Sequence, residues 1–129
     1  MDAKELADAL IEAIKRRDVD EMMALNSPDA VVFDPDFGPA GQDLASMEKD
    51  MRDYFVSIPN LRFDVYDTVV DGSLIAIHGR GYGTILGPRT TPKGVRQPSG
   101  EGLDFTYALF LRLNEAGLIS EERRYIGLH

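Results

Sequence analysis

The sequence predicts one α+β domain over residues 1–129, a curved antiparallel sheet with three helices from the N-terminal half across its concave face. Three observations predict it. Apolar residues recur at helical spacing in two stretches before residue 58, with a short capped segment between them. From Leu61 onward the pattern becomes four strand-like runs punctuated by turn residues. No repeat or linker divides the chain, and 129 residues are enough for one core.

The elements follow in order. Lys4 to Arg17 reads as a helix, with Leu6, Ala7, Leu10, Ile11 and Ile14 forming an apolar stripe. Asp18 or Asp20 can cap a short second helix around Glu21 to Leu25. Asn26-Ser27-Pro28-Asp29 reads as a turn. Ala30 to Asp34 is the first strand, ended by Pro35, which cannot donate to a ladder. A Gly38-Pro39-Ala40-Gly41 loop leads to a third helix, from Asp43 to Ser57, whose apolar positions are Leu44, Met47, Met51, Tyr54 and Phe55. Leu61–Asp71 and Leu74–Leu86 are strands around an Asp71-Gly72-Ser73 turn. Leu103–Leu113 and Leu118–Leu128 are two more, joined through Asn114-Glu115-Ala116-Gly117. A curled sheet of sequentially paired strands with helices across its hollow side encloses a cone-shaped cavity.

Bulk properties exclude several functions. The chain has no cysteine, so disulfides, thiolate catalysis and cysteine-ligated metals are out. Its two histidines, His78 and His129, cannot build a multi-histidine metal site, and no metal or cofactor is expected. A net charge of −8 repels polyanions and argues against nucleic acid. No apolar run approaches the ~20 residues that span a bilayer, so no membrane partner is expected. An acid-containing amphipathic helix at the N-terminus does not resemble a secretory signal, which leaves the cytoplasm as the expected compartment.

Asp34 is the leading candidate for chemistry. Strand alternation puts it with Val32 on one face and sets Val31 and Phe33 on the other. A carboxylate at the mouth of an apolar cone loses hydration, and its pKa rises toward the range of a general base. Gly79, Gly81 and Gly83 alternate along the long strand and leave space on one sheet face, either for a ligand or for close packing. His78, Arg80, Tyr82 and Thr84 take the opposite face, where a subunit contact suits them better than catalysis. Gly87 to Gly102 is long for a connection, and its Arg89, Lys93 and Arg96 stand out on an acidic protein. Phe33, Phe37, Tyr54, Phe55 and Phe105 could line or fill the cavity.

The motifs Asp29-Ala30-Val31-Val32-Phe33-Asp34-Pro35, Ile58-Pro59-Asn60-Leu61-Arg62-Phe63, Val69-Val70-Asp71-Gly72, Gly83-Thr84, Pro98-Ser99-Gly100 and Gly117-Leu118-Ile119-Ser120-Glu121 carry a resemblance across nearly the whole chain. In this order they resemble a SnoaL-like protein of the nuclear-transport-factor-2-like superfamily, to which ketosteroid isomerases and polyketide cyclases belong. The resemblance implies the cystatin-like cone fold and a homodimer formed through the outer sheet face. It places Asp34 where ketosteroid isomerases carry their proton-shuttling aspartate, and Leu10 and Leu109 where those enzymes carry oxyanion donors. It also turns the Ile119 face of the last strand, with Glu121, Arg123 and Tyr125, toward the cavity. Asp34 and Tyr125 are then the expected catalytic pair. Arg123, Glu121, Gly79, Gly81, Gly83, Phe33, Tyr54 and Phe55 would contact a small hydrophobic, oxygenated substrate. The expected activity is cofactor-free isomerase, cyclase or hydrolase chemistry by acid and base. The alternative is a non-catalytic ligand-binding or association module of the same fold.

Overall fold

The computed structural model describes residues 1–91 and 94–128, without the side chains of Phe37, Thr90 and Thr91. Lys93, His129 and the Phe37 side chain, named above, lie outside this description, as does Pro92.

Helix α1 runs from Ala3 to Arg16 and opens on a capping box. Asp2 Oδ1 accepts the Glu5 N–H at 2.8 Å, and Glu5 Oε1 accepts the Asp2 N–H at 3.1 Å. Helix α2 spans Val19–Ala24, and it is Asp18 that caps it, by accepting the Glu21 N–H. Helix α3 spans Leu44–Ser57 under an Asp43 cap. The strands are β1 (Asn26–Phe33), β2 (Gln42–Asp43), β3 (Arg62–Asp71), β4 (Leu74–Thr84), β5 (Arg89–Thr91), β6 (Gly94–Arg96), β7 (Gly102–Leu113) and β8 (Ile119–Leu128).

The main sheet has the order β2-β1-β8-β7-β4-β3. The four long strands pair antiparallel in sequence, as expected. The sheet is nevertheless mixed, because β1 lies parallel to β8 at its far side. Parallel neighbours need a long crossover, and here everything between β1 and β8 supplies it. The predicted turn at Asn26–Asp29 is instead the start of β1. Asn26 faces Ile119 and Val31 faces Glu121, so five steps of β1 meet two of β8 and the extra residues bulge out of the ladder. Pro28 has no N–H to lose there. The long connection after β4 also holds structure, a two-strand hairpin of β5 and β6.

The core lies between the helices and the concave face. Leu6, Leu10, Val19 and Met22 from α1 and α2 meet Ile58 and Leu61, and the sheet contributes Ile75, Ile77, Leu111 and Ile119. Each is less than a tenth exposed.

Candidate functional site

Three local features place polar side chains in or beside the hollow of the cone. On β1, alternation buries Val32 and Asp34 together. Pro35 ends the strand, and Asp34 Oδ1 accepts the Asp36 N–H at 3.0 Å, capping a short 3₁₀ turn over Pro35–Phe37. On α3, Asp50 and Tyr54 stand four residues apart on one face and both line the cavity.

On β8 the decisive feature is a bulge. Arg112 pairs with Glu121 and Leu113 with Ile119, so one step of β7 spans two of β8 and Ser120 is extra. The alternation therefore changes phase at Ser120. Glu122, Arg124 and Ile126 pair with Leu111, Leu109 and Tyr107 and share their inward face. Glu121, Arg123 and Tyr125 pair with Arg112, Phe110 and Ala108 on the outward face. The expectation that the Glu121-Arg123-Tyr125 face points into the cavity is corrected here. Strict alternation from Ile119 takes no account of an added residue, and one residue reverses every side chain beyond it.

The inner cavity is small, about 100 Å³. Its walls are mostly apolar, from Leu10, Ile14, Met22, Met47, Met51, Phe63, Phe105 and Leu109, while Asp50, Tyr54, Glu122, Arg124 and Asn26 bring polar atoms to it. The Arg124 guanidinium donates to Glu122 Oε2 through Nε at 2.7 Å and also through Nη2. Both side chains are nearly buried, 14% and 9% exposed. Arg89, from β5, lies over the Tyr54 ring at 3.6 Å. Tyr107 points its hydroxyl toward the Asp64 carbonyl at 3.5 Å.

Burial sets the electrostatics of this cluster. It pushes the Asp34 carboxyl above the usual range. The Asp36 N–H and Arg124 pull it back, and the Asp36 and Glu122 charges add to the rise. Burial likewise raises Asp50, against the pull of Arg89 and Arg124 and with the push of Asp53 and Asp34. Tyr54 is raised by burial and partly relieved by Arg89, and Tyr107 is pushed up to about 12 by burial and by Asp64. Burial opposes the charge on Arg124, yet Glu122, Asp34 and Asp50 together raise its pKa. One guanidinium thus serves three carboxylates, one of which holds it in place. In the other two, Asp34 and Asp50, burial favours the protonated form.

The other expected residues fall elsewhere. Phe33, Asp34, Arg123 and Tyr125 do come together, but along a separate outer cleft of about 350 Å³ with Pro35, Gly38 and Pro39. There Arg123 stacks over Phe33 at 4.2 Å and sits 3.4 Å from Glu121, which also meets Arg112. Tyr125 is 48% exposed and packs edge-on against Phe110. Phe55 packs against Phe63 at the cavity wall. The space left by the three glycines is occupied by the protein itself. A Cβ on Gly79 would come 2.2 Å from the Asp64 carbonyl and 2.6 Å from the Tyr107 hydroxyl. On Gly81 it would meet the Phe105 ring at 2.2 Å, and on Gly83 the Ile58 side chain at 2.6 Å. His78 faces outward against Asp67 and Tyr66. Sequence reasoning missed Asp50, Glu122, Arg124 and Asn26, and singled out Arg89 only as one of the basic residues of the long connection. Helical spacing of Asp50 with Tyr54 was the signal available for one of them.

Among the described residues, no grouping of three His, Cys, Asp or Glu side chains is arranged to hold a metal ion. No helix among them is long and apolar enough to cross a membrane.

The SnoaL-like domain family matches residues 7–122. No curated protein matches the chain. Among solved structures, AclR of Streptomyces galilaeus, a candidate hydroxylase, superposes with a TM-score of 0.82 at 22% identity, over 97% of this chain and 88% of its own. IdmH of Streptomyces antibioticus, a candidate polyketide cyclase, gives 0.75 at 22% identity, over 98% and 92%. SalBIII, an epoxide hydrolase/cyclase-like enzyme in pyran ring formation of the polyether salinomycin, gives 0.73 at 16% identity, over 97% and 90%. At such identities the likeness establishes the fold.

Proposed function

Because this chain belongs to the SnoaL-like domain family, we propose that it is a small-molecule enzyme that moves protons within its inner cavity. Its substrate is hydrophobic and oxygenated, and the reaction is of the isomerase or cyclase type. Asp34 takes a proton from carbon or oxygen and returns it. Asp50 faces the same guanidinium and can supply the complementary acid. Arg124, held by Glu122, offers positive charge to an oxygen that becomes negative in the transition state. The observation that carries this reading is the gathering of buried Asp34 and half-buried Asp50, each raised by burial, around the nearly buried Arg124 at the wall of an apolar chamber. The names of IdmH and SalBIII support cyclase-type chemistry in this fold.

A proton-transfer assay tests it without knowledge of the substrate. Single-ring ketones are incubated with the protein in D₂O, and deuterium at the carbon beside the carbonyl is followed by NMR. Exchange above buffer that falls at least tenfold in Asp34→Asn supports the enzyme. No exchange with any ketone, together with an Asp34 carboxyl that titrates in the ordinary range, removes it.

A second reading has its own support. Leu10 and Leu109 line the cavity and can donate no hydrogen bond to an oxyanion, which favours a ligand-binding module. Either reading is compatible with a cytoplasmic homodimer. Exposed Tyr66, Val69, Phe110 and Tyr125 on the outer sheet face support a partner copy there, since such rings and branched chains gain by burial.

A further inference from the structure

Asn26 follows Leu25, the C-cap of α2, and begins β1, at the edge of the inner cavity. It is 8% exposed. Its Nδ2 donates to the Met22 carbonyl at 2.8 Å, which fixes the amide, because rotating it would set Oδ1 against that carbonyl, acceptor against acceptor. The fixed Oδ1 then receives no hydrogen bond from any described residue, and among these residues it is the buried side-chain polar atom left in that condition. Buried acceptors are rarely left unpaired.

We infer that Asn26 is a ligand-binding residue whose amide oxygen accepts a hydrogen bond from a hydroxyl group on the molecule that enters the cavity. This rests on the reading of the cavity as a ligand chamber. The chemistry selects a neutral hydroxyl. Met22, Met23, Leu10 and Ile14 contribute apolar surface to the same cavity, while a cationic donor would be drawn to Asp50 and Glu122 instead. A volume of about 100 Å³ suits a single ring. The ligand is thus a small apolar body with a hydroxyl directed at the α2 side and an oxygen or acidic carbon directed at Asp50 and Arg124.

p-Cresol and p-xylene test this, because they differ in a hydroxyl against a methyl of similar size. Their affinities for the wild type and for Asn26→Leu are measured by ¹H–¹⁵N NMR titration. The cresol-to-xylene affinity ratio is expected to fall about fivefold or more in Asn26→Leu, the size of one neutral hydrogen bond. In the wild type, the Asn26 side-chain amide signals shift with cresol and stay in place with xylene, and this measurement stands even if the variant fails to fold. An unchanged ratio, or an Asn26 amide that ignores cresol while both probes bind, overturns the role of Asn26 and leaves the chamber intact. If neither probe perturbs Met51, Tyr54 or Ile126, the chamber itself is refuted and the inference falls with it.

Discussion

Glu122 and Arg124 are two residues apart on β8 and form a nearly buried ion pair inside the cone, with both guanidinium bonds on one carboxylate oxygen. The pair is inward because Ser120 is an extra residue in the strand. It also supplies the buried positive charge that Asp34 and Asp50 both face. Breaking it from the arginine side leaves carboxylates without a counter-charge. Arg124→Met should therefore lower unfolding stability by about 3 kcal/mol or more, read by denaturant titration. The double variant Glu122→Gln/Arg124→Met should cost less than the two single changes summed.

Asp34 gives a stability change with a definite sign. Its carboxyl is raised in the folded state by burial, so folding favours its protonated form. Its stabilising contribution is complete below the unfolded-state pKa of about 3.9 and is lost as pH rises through the higher folded value. Asp34→Asn keeps the Oδ1 that accepts the Asp36 N–H and removes the charge. The variant should be more stable than the wild type at neutral pH, and the advantage should vanish toward pH 3. Thermal unfolding across that range checks it, and an advantage at low pH alone would contradict the burial argument.

Arg89 sits over Tyr54 and draws the Asp50 carboxyl downward. Arg89→Ala should move the Asp50 titration midpoint to higher pH. A ¹³C-detected carboxyl titration of both proteins measures the difference. The same change should lower the midpoint of Tyr54 in no case, since Arg89 is what relieves that hydroxyl.

Gly81→Ala tests whether the glycine stripe is packed or open. The added methyl would stand 2.2 Å from the Phe105 ring, which is 4% exposed and has little room to retreat. Overpacking of this kind costs about 1–3 kcal/mol. A variant as stable as the wild type would mean that the ring moves freely and that space beside β4 is available to a ligand.

Phe110 and Tyr125 pack edge to face on the outer sheet. If a second copy covers them, Phe110→Glu buries a charge at the contact and should shift sedimentation from dimer to monomer. The inner-face titrations of Asp34 and Asp50 should stay unchanged.

Much of this protein was legible from its sequence. The three helices follow from apolar spacing and, for the second, from a cap at Asp18 or Asp20, of which the structure uses Asp18. The four long strands follow from alternation and from turns such as Gly72, whose φ of 59° glycine tolerates without strain. The inward burial of Asp34 follows from Val32 two residues before it. All of these are decided within a few residues along the chain.

The tertiary structure decided what depends on a partner strand. Whether Ser120 joins the ladder or bulges from it is set by the register against β7, and that choice turned Glu122 and Arg124 inward and Arg123 and Tyr125 outward. Whether the glycines of β4 leave room or are filled was decided by Phe105 and Tyr107 on the neighbouring strand. The parallel union of β1 with β8 joins residues about ninety positions apart, which no local period records. Local spacing establishes which residues share an element; the face an element presents, and what occupies the space before it, are settled by long-range pairing and close packing.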